Sequence, residues 1–325
     1  MTTSPFLSVV IPTYNRLPQL RQCLDALYRQ VYPLSDCEII VVDNGSTDDT
    51  GHFLAEMKPP SGVTLLTLRE PKRGPAAARN TGIRHARGHV VLITGDDIIA
   101  APDLLEQHAT WHRRSPDERV VVLGLTTWTP DKPITPFMRW LENGGPQYKF
   151  WAIADRQNVF YGHFYTSNAS AKRSFLLASG LFDEDFPYAS HEDTELAFRM
   201  AQRGMRMVYN ERAVGYHDHY TSLKDALRRM EKVGETEGLY RLKVCDEAPG
   251  AGLVRPASSE SLLRRAGGQL KFSLWLLVGR AAERWAILPG VYSYLLERAH
   301  IAGLRRWTMQ YATASEQKRR KRPSP

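Results

Sequence analysis

His89-Val90-Val91-Leu92-Ile93-Thr94-Gly95-Asp96-Asp97-Ile98-Ile99 is an apolar run that halts at two adjacent carboxylates and then resumes. Such a run reads as a buried strand, and its end puts Asp96 and Asp97 at the carboxyl edge of a sheet, where open α/β folds bind their ligands. Carboxylate oxygens there suit a hard divalent cation, and Mg²⁺ typically takes one or two of them together with substrate phosphates. The stretch therefore predicts a site for a metal–diphosphate complex. Alone, it is better read as a turn ahead of a helix starting near Pro102.

Working outward, strand and helix patterns alternate. Residues 7–12 read as a strand, 17–30 as a helix with Leu20, Leu24 and Leu27 on one face, and 38–42 as a second buried strand. A helix follows from about Asp48, then a strand over 63–68 and a helix over 75–86. Parallel strands joined by right-handed crossovers gather the loops at their carboxyl ends, here 13–16, 43–47, 69–75 and 95–97, into one crevice. Downstream, a helix from Pro102 and a strand over 119–125 continue the sheet. Residues 126–164 change character, with Trp128, Trp140, Phe150, Trp151 and Tyr161 set among Pro and Gly. That stretch is either an irregular covering layer or a wall for an acceptor, since aromatic faces suit sugar rings and greasy chains alike.

From Leu223 onward the pattern is helical without strands. Leu263, Ala266, Leu270, Leu274, Leu277 and Ala281 form one stripe, with Arg264, Arg265, Lys271 and Arg280 between them. A further helix after Pro289 and Gly290 carries Tyr292, Leu295, Ala299 and Ala302. The chain is thus expected to divide into an α/β domain over 1–220, a helical region over 221–315 and a disordered basic tail over 316–325.

Composition bounds the rest. Hydrophobic content of 42% and charged content of 24% are those of a globular protein. Cys23, Cys37 and Cys245 are too few and too far apart for a disulfide framework or a Cys-x-x-Cys pair, which favours a reducing cytoplasm. The first strand begins almost at Met1 with no basic region before it, so no signal peptide is expected. The apolar stretch over 272–279 falls far short of the roughly 20 residues that span a bilayer. The formal charge is +8, but 305–325 holds seven Lys or Arg against one Glu, so the excess is a tail and not a groove for nucleic acid. That tail is either a solvated end or a contact for anionic lipid, and the helices before it either pack within the protein or lie on a membrane surface.

Five blocks together are similar to a known family. Ser8-Val9-Val10-Ile11-Pro12-Thr13-Tyr14-Asn15-Arg16, Val41-Val42-Asp43-Asn44-Gly45-Ser46-Thr47-Asp48, Gly74-Pro75-Ala76-Ala77-Ala78-Arg79-Asn80-Thr81-Gly82, Thr94-Gly95-Asp96-Asp97 and His191-Glu192-Asp193-Thr194-Glu195-Leu196-Ala197-Phe198-Arg199 resemble, in order and spacing, glycosyltransferase family 2 over residues 6–220. The resemblance implies a GT-A fold, an α/β nucleotide-diphospho-sugar transferase architecture with a mostly parallel sheet. It implies inverting transfer of a sugar from a UDP- or dTDP-linked donor to a glycan or lipid-linked acceptor, in cell-surface polysaccharide or glycoconjugate biosynthesis.

The resemblance also assigns roles. Asp43, with Pro12, Thr13, Tyr14, Asn15 and Arg16 nearby, falls at the nucleotide base, while Arg73, Gly74 and Arg79 fall on the diphosphate side. The ordinary alternative for the second block is a helix capped by Ser46 or Thr47, and for the arginines an exposed helix face. Where the family usually has three acidic positions this chain has Gly95 first, which leaves Asp97 as the metal ligand and Asp96 toward the ribose or the metal's waters. His217 matches a further metal position; imidazole favours Mn²⁺ over Mg²⁺, whereas His217 and His219 on alternate strand positions also fit an exposed edge. Inverting transfer needs a base on the acceptor side, and Asp193, beside Glu192, is the expected one. The competing reading makes Ser190 to Asp193 a capping box. No Gly-x-Gly-x-x-Gly and no P-loop is present, so the remaining competitors are a sugar-nucleotide nucleotidyltransferase and a nonenzymatic membrane-surface module. Sugar identity, acceptor and oligomeric state, homo-oligomer included, stay open at this point.

Overall fold

The computed structural model describes residues 6–244, 262–283 and 288–320. The chain forms two compact units, one of Met1–Pro133 with Tyr148–His219, the other of Ile134–Gln147 with Tyr220–Pro325.

The first unit is built on an eight-stranded sheet. Its strands are β1 (Leu7–Thr13), β2 (Cys37–Asp43), β3 (Thr64–Arg69), β4 (Val90–Thr94), β5 (Ile98–Ala100), β6 (Val120–Trp128), β7 (Asn168–Lys172) and β8 (Arg206–His217). They lie in the order β3-β2-β1-β4-β7-β6-β8-β5. β3, β2, β1 and β4 are mutually parallel, the result of helical crossovers through α1 (Leu17–Tyr28), α2 (Thr50–Glu56) and α3 (Pro75–His85). Helices on both faces explain why β1, β2 and β4 are buried almost throughout, whereas β3, at the edge, is partly exposed. Val10, Ile40, Val42, Val91 and Ile93 face one core; Val9, Ile11, Ile39, Val41 and Leu92 face the other.

Beyond β4 the sheet departs from a simple parallel series. β7 runs antiparallel between β4 and β6, and β5 antiparallel to β8. The strand expected over 119–125 is present as β6 but extends to Trp128, so the irregular stretch begins later than the composition indicates. α4 (Leu104–Arg114) covers this half of the sheet, and its buried His108 and His112 both reach Ser170 on β7. The β6–β8 register jumps where Gly124 pairs with Asn210 but Leu125 pairs with Val214. Asn168 fills that bulge by donating its amide to the Leu125 and Ala213 carbonyls.

The second unit comprises α5 (Pro136–Glu142), α8 (Leu223–Val244), α9 (Leu262–Ala282) and α10 (Pro289–Arg320), numbered after α6 (Arg173–Ala178) and α7 (Glu192–Gln202) of the first. Phe137, Trp140, Leu223, Tyr292 and Leu295 form its core, with Phe272, Trp275 and Leu276 packed against them. α10 reaches Arg320, into the stretch expected to be tail, while 321–325, like Cys245, lie outside the described residues.

Candidate active site

The loops after β1, β2, β3 and β4 converge at the carboxyl ends of the parallel strands, as that topology requires. Asn15 fastens the first two together. Its backbone turns left-handed (φ 52°), its side-chain oxygen accepts from the Thr47 amide at 2.7 Å, and its own amide donates to the Ser46 hydroxyl at 3.0 Å. Asp43 is buried and accepts from the Ser46 amide at 2.8 Å, which rounds the loop above it. Asn44 ties in the third loop, donating to the Glu70 and Lys72 carbonyls and accepting from the Gly74 amide at 2.9 Å. Gly74 sits at φ 125°, a conformation open to glycine, and lets the chain turn into α3 at Pro75. Arg73 lies over the Tyr14 ring, 4.2 Å from its centroid. Tyr14 is exposed, so this pair presents a flat cationic surface at the mouth of the crevice.

At the end of β4, Asp96 and Asp97 diverge. Asp96 accepts from the Thr13 hydroxyl at 2.8 Å, and Arg16 bridges both carboxylates. Burial and the neighbouring Asp97 charge push Asp96 up to about 6, against the pull of Arg16 and Thr13. Asp97 is partly buried, yet the His217 imidazole and the Arg16 guanidinium outweigh desolvation and hold it well below the usual carboxylate range. His217 Nε2 lies 3.4 Å from Asp97 Oδ2. The two are brought together because β5 and β8 are antiparallel, with Ile98 opposite His217. Trp128 stacks on the imidazole at 5.3 Å and 9°, and its Nδ1 is buried without a hydrogen-bond partner.

Asp97 and His217 thus converge as one carboxylate and one imidazole. Among the described residues no group of three or more His, Cys, Asp or Glu side chains is arranged to hold a metal ion. The donor set fits a cation that takes two protein ligands and completes its shell from substrate phosphates and water. It does not form a closed protein cage.

The acidic helix start is organised differently from a capping box. α7 opens at His191, left-handed at φ 65° and without a side-chain cap, and not at Ser190. Glu192 is buried and receives Arg79 at 2.6 Å, so Arg79, expected toward the diphosphate, instead joins α3 to α7. Asp193 is half-buried, and its charge, after burial, helps push the Tyr165 hydroxyl up to about 12. Tyr165 meets Tyr148 edge-on at 5.4 Å, and Tyr148 meets His217 at 5.9 Å. Aromatic rings therefore run from His217, beside Asp97, through Tyr148 to Tyr165. Tyr148 and Tyr165 escaped the sequence reading because single tyrosines carry no periodic or motif signal. The same holds for Asp218, buried beside Lys132, whose amide donates to the Asp97 carbonyl at 2.8 Å and fixes that backbone.

An open α/β sheet with an acidic pair at its rim, four converging loops and a second acidic cluster on a nearby helix defines a GT-A class of fold, with its ligand crevice at the carboxyl ends of the strands. Residues 8–167 match the model of glycosyl transferase family 2, and the chain belongs to that family. It is 27% identical over 231 residues to validoxylamine A glucosyltransferase of Streptomyces hygroscopicus subsp. jinggangensis, covering 65% of this chain and 55% of that one. The chain spans 55%, 35% and 65% of the lengths of the first three curated relatives it matches. In fold it is similar to the mannosyltransferase PcManGT of Pyrobaculum calidifontis, solved with GDP-Man and Mn²⁺, at a TM-score of 0.62 and 22% identity over 94% of this chain and 88% of that one. It is also similar to residues 1–349 of S. aureus TarS, solved with UDP, at a TM-score of 0.53 and 18% identity over 95% and 91%.

Proposed function

We propose that the chain is an inverting, divalent-cation-dependent glycosyltransferase that moves a sugar from a UDP- or dTDP-linked donor to a hydroxyl of a glycan or lipid-linked acceptor. Its place is cell-surface polysaccharide or glycoconjugate biosynthesis at the cytoplasmic side, with peripheral attachment to an anionic membrane. The observation that carries the reading is the pairing of Asp97 with His217 at 3.4 Å, from which edge-on rings lead through Tyr148 to Tyr165.

Each step follows from groups already described. Asp43, with Tyr14 and Arg73 at the mouth, receives the base, and Arg16 and Asp96 lie toward the ribose and phosphates. Asp97 and His217 would hold Mn²⁺ or Mg²⁺, which when bound would supply positive charge against the departing diphosphate. The Asp193 carboxylate takes the proton from the acceptor hydroxyl as that oxygen bonds to the anomeric carbon. The bond from that carbon to the diphosphate oxygen breaks on the opposite face, its electron pair leaving with the nucleoside diphosphate, so configuration inverts. Glu192 stays bound to Arg79 and holds the start of α7 in place.

A thermal-shift panel of UDP, dTDP and GDP, each with and without Mn²⁺, tests the reading. Selective stabilisation by a pyrimidine diphosphate with Mn²⁺ is expected, since a ligand that binds only the folded state raises its stability. No shift with any of them defeats it. A nucleotidyltransferase is separated by product, because it consumes a nucleoside triphosphate and releases pyrophosphate.

A further inference from the structure

α9 has two apolar faces, and one of them is packed. Phe272, Trp275 and Leu276 turn onto the Phe137, Leu223 and Tyr292 cluster. On the other side Leu270, Leu274 and Leu277 are 73%, 59% and 66% exposed, and exposed Ala281 continues the line. Positions four, seven and eleven apart stack along one stripe of a helix. A single exposed leucine needs no explanation, but a contiguous apolar line marks an interaction surface.

The borders of the stripe are basic. At about 100° per residue, exposed Lys271 falls on one flank of the leucines and exposed Arg280 on the other. α9 contains Arg264, Arg265, Lys271 and Arg280 and neither Asp nor Glu.

Charge decides what covers it. Two copies meeting through this stripe about a two-fold axis would bring the same basic flanks together, and like charges across an interface are costly. An anionic bilayer instead accepts the leucines at the headgroup boundary while lysine and arginine reach the phosphates. We propose that α9 docks the chain on an anionic lipid surface through Leu270, Leu274 and Leu277, with Lys271 and Arg280 at the headgroups. No helix among the described residues is long and apolar enough to cross a membrane, so the contact lies at the surface. This docking deepens the membrane attachment of the preceding reading and rests on that part alone, not on the transfer chemistry.

Flotation of the full chain with vesicles tests it. The chain is expected to float with vesicles containing about one third phosphatidylglycerol in phosphatidylcholine, to stay at the bottom with phosphatidylcholine alone, and to release as salt rises. Replacing Leu270, Leu274 and Leu277 together by Ser lowers the bound fraction by about tenfold or more, as does Lys271→Glu with Arg280→Glu. All five side chains are exposed, and an unchanged circular dichroism spectrum and UDP-dependent thermal shift certify the fold. Failure of the parent to float, a triple variant that floats like the parent, or loss of flotation through Lys321→Gln with Arg322→Gln alone overturns the proposal. So does a dimer seen by light scattering that the triple variant dissociates. A parent that floats yet binds no nucleotide leaves the docking standing and defeats the transferase reading.

Discussion

His217 Nε2 and Asp97 Oδ2 lie 3.4 Å apart although 120 residues of chain separate them, because the short β5 pairs antiparallel with the end of β8. Asp97 is held from both sides, by the histidine through its side chain and by the Asp218 amide through its carbonyl. A carboxylate so fixed would meet the proposed cation with little left to reorganise.

His217→Ala removes one of the two side chains proposed to hold the cation. Mn²⁺ affinity in the presence of UDP, read by the free-Mn²⁺ signal in electron paramagnetic resonance, should fall by about tenfold to a hundredfold, the range typical for perturbed metal sites. Affinity equal to the parent's takes His217 out of the site and leaves its role to packing between Trp128 and Tyr148.

Asp193→Asn keeps the size of the side chain and deletes the proposed proton acceptor. Turnover is expected to drop by about 10² to 10⁴ while the thermal shift given by UDP and Mn²⁺ persists. Near-normal turnover moves the base elsewhere. Tyr165→Phe is a useful companion, because the Tyr165 oxygen accepts from the Lys149 amide at 3.1 Å. Its loss should change the acceptor KM more than the donor KM.

The joint between α3 and α7 is a buried pair, Arg79 with Glu192, exposed by 9% and 1% at their side chains. Their single contact leaves Arg79 Nε and Glu192 Oε2 buried without partners. Removing one member strands the other charge, so Arg79→Met or Glu192→Gln should each cost about 3–5 kcal/mol in urea unfolding. Arg79→Met with Glu192→Met together should cost far less. A double variant as unstable as the sum of the singles rejects the pairing as the cause.

How much of this was legible beforehand depends on range. The loops bearing Asn15, Asp43 and Asp96 follow from period and βαβ logic, since each strand announces itself locally and parallel topology then brings the ends together. β7 did not announce itself. Asn168-Ala169-Ser170-Ala171-Lys172 is polar and small, yet every residue is buried, because its side chains are satisfied by groups distant in sequence, His108, His112 and the Ser115 and Asp117 carbonyls among them. The Arg79–Glu192 pair spans 113 residues and left no trace in either motif. Residues 134–147 were read with the aromatic covering stretch, whereas Phe137 and Trp140 pack against Tyr292, a partner no local pattern could reveal.

The histidines beneath β7 make the fold acid-labile. Burial pushes His108 down to about 4 and His112 down to about 3, whereas an unfolded histidine titrates near 6.5. Between those values the unfolded chain binds protons that the folded chain refuses, so stability is full above about pH 6.5 and declines as pH falls toward the folded values. Urea midpoints measured from pH 7 to pH 4.5 should decrease steadily, and His112→Gln should flatten the slope. A parent midpoint independent of pH over that window removes the histidines as the acid-sensitive element.

α8 and α10 approach so closely that backbone meets backbone. A Cβ on Gly303 would stand 1.8 Å from the Glu231 carbonyl oxygen, and one on Gly234 2.0 Å from the His300 carbonyl oxygen. Alanine is the better helix former by about 1 kcal/mol, so propensity alone favours Gly303→Ala. The obstructing atoms are main chain and cannot rotate away, and forcing a methyl into a filled interface costs about 1–3 kcal/mol. Packing wins, and Gly303→Ala is expected to destabilise the helical unit. Gly290, on the same helix, has nothing within 4 Å of its Cβ position, so Gly290→Ala should stabilise by about 0.5 kcal/mol through the entropy of the unfolded chain. Opposite signs for the two substitutions in chemical denaturation are the expected result. Equal signs show that the close helix crossing does not limit this part of the protein.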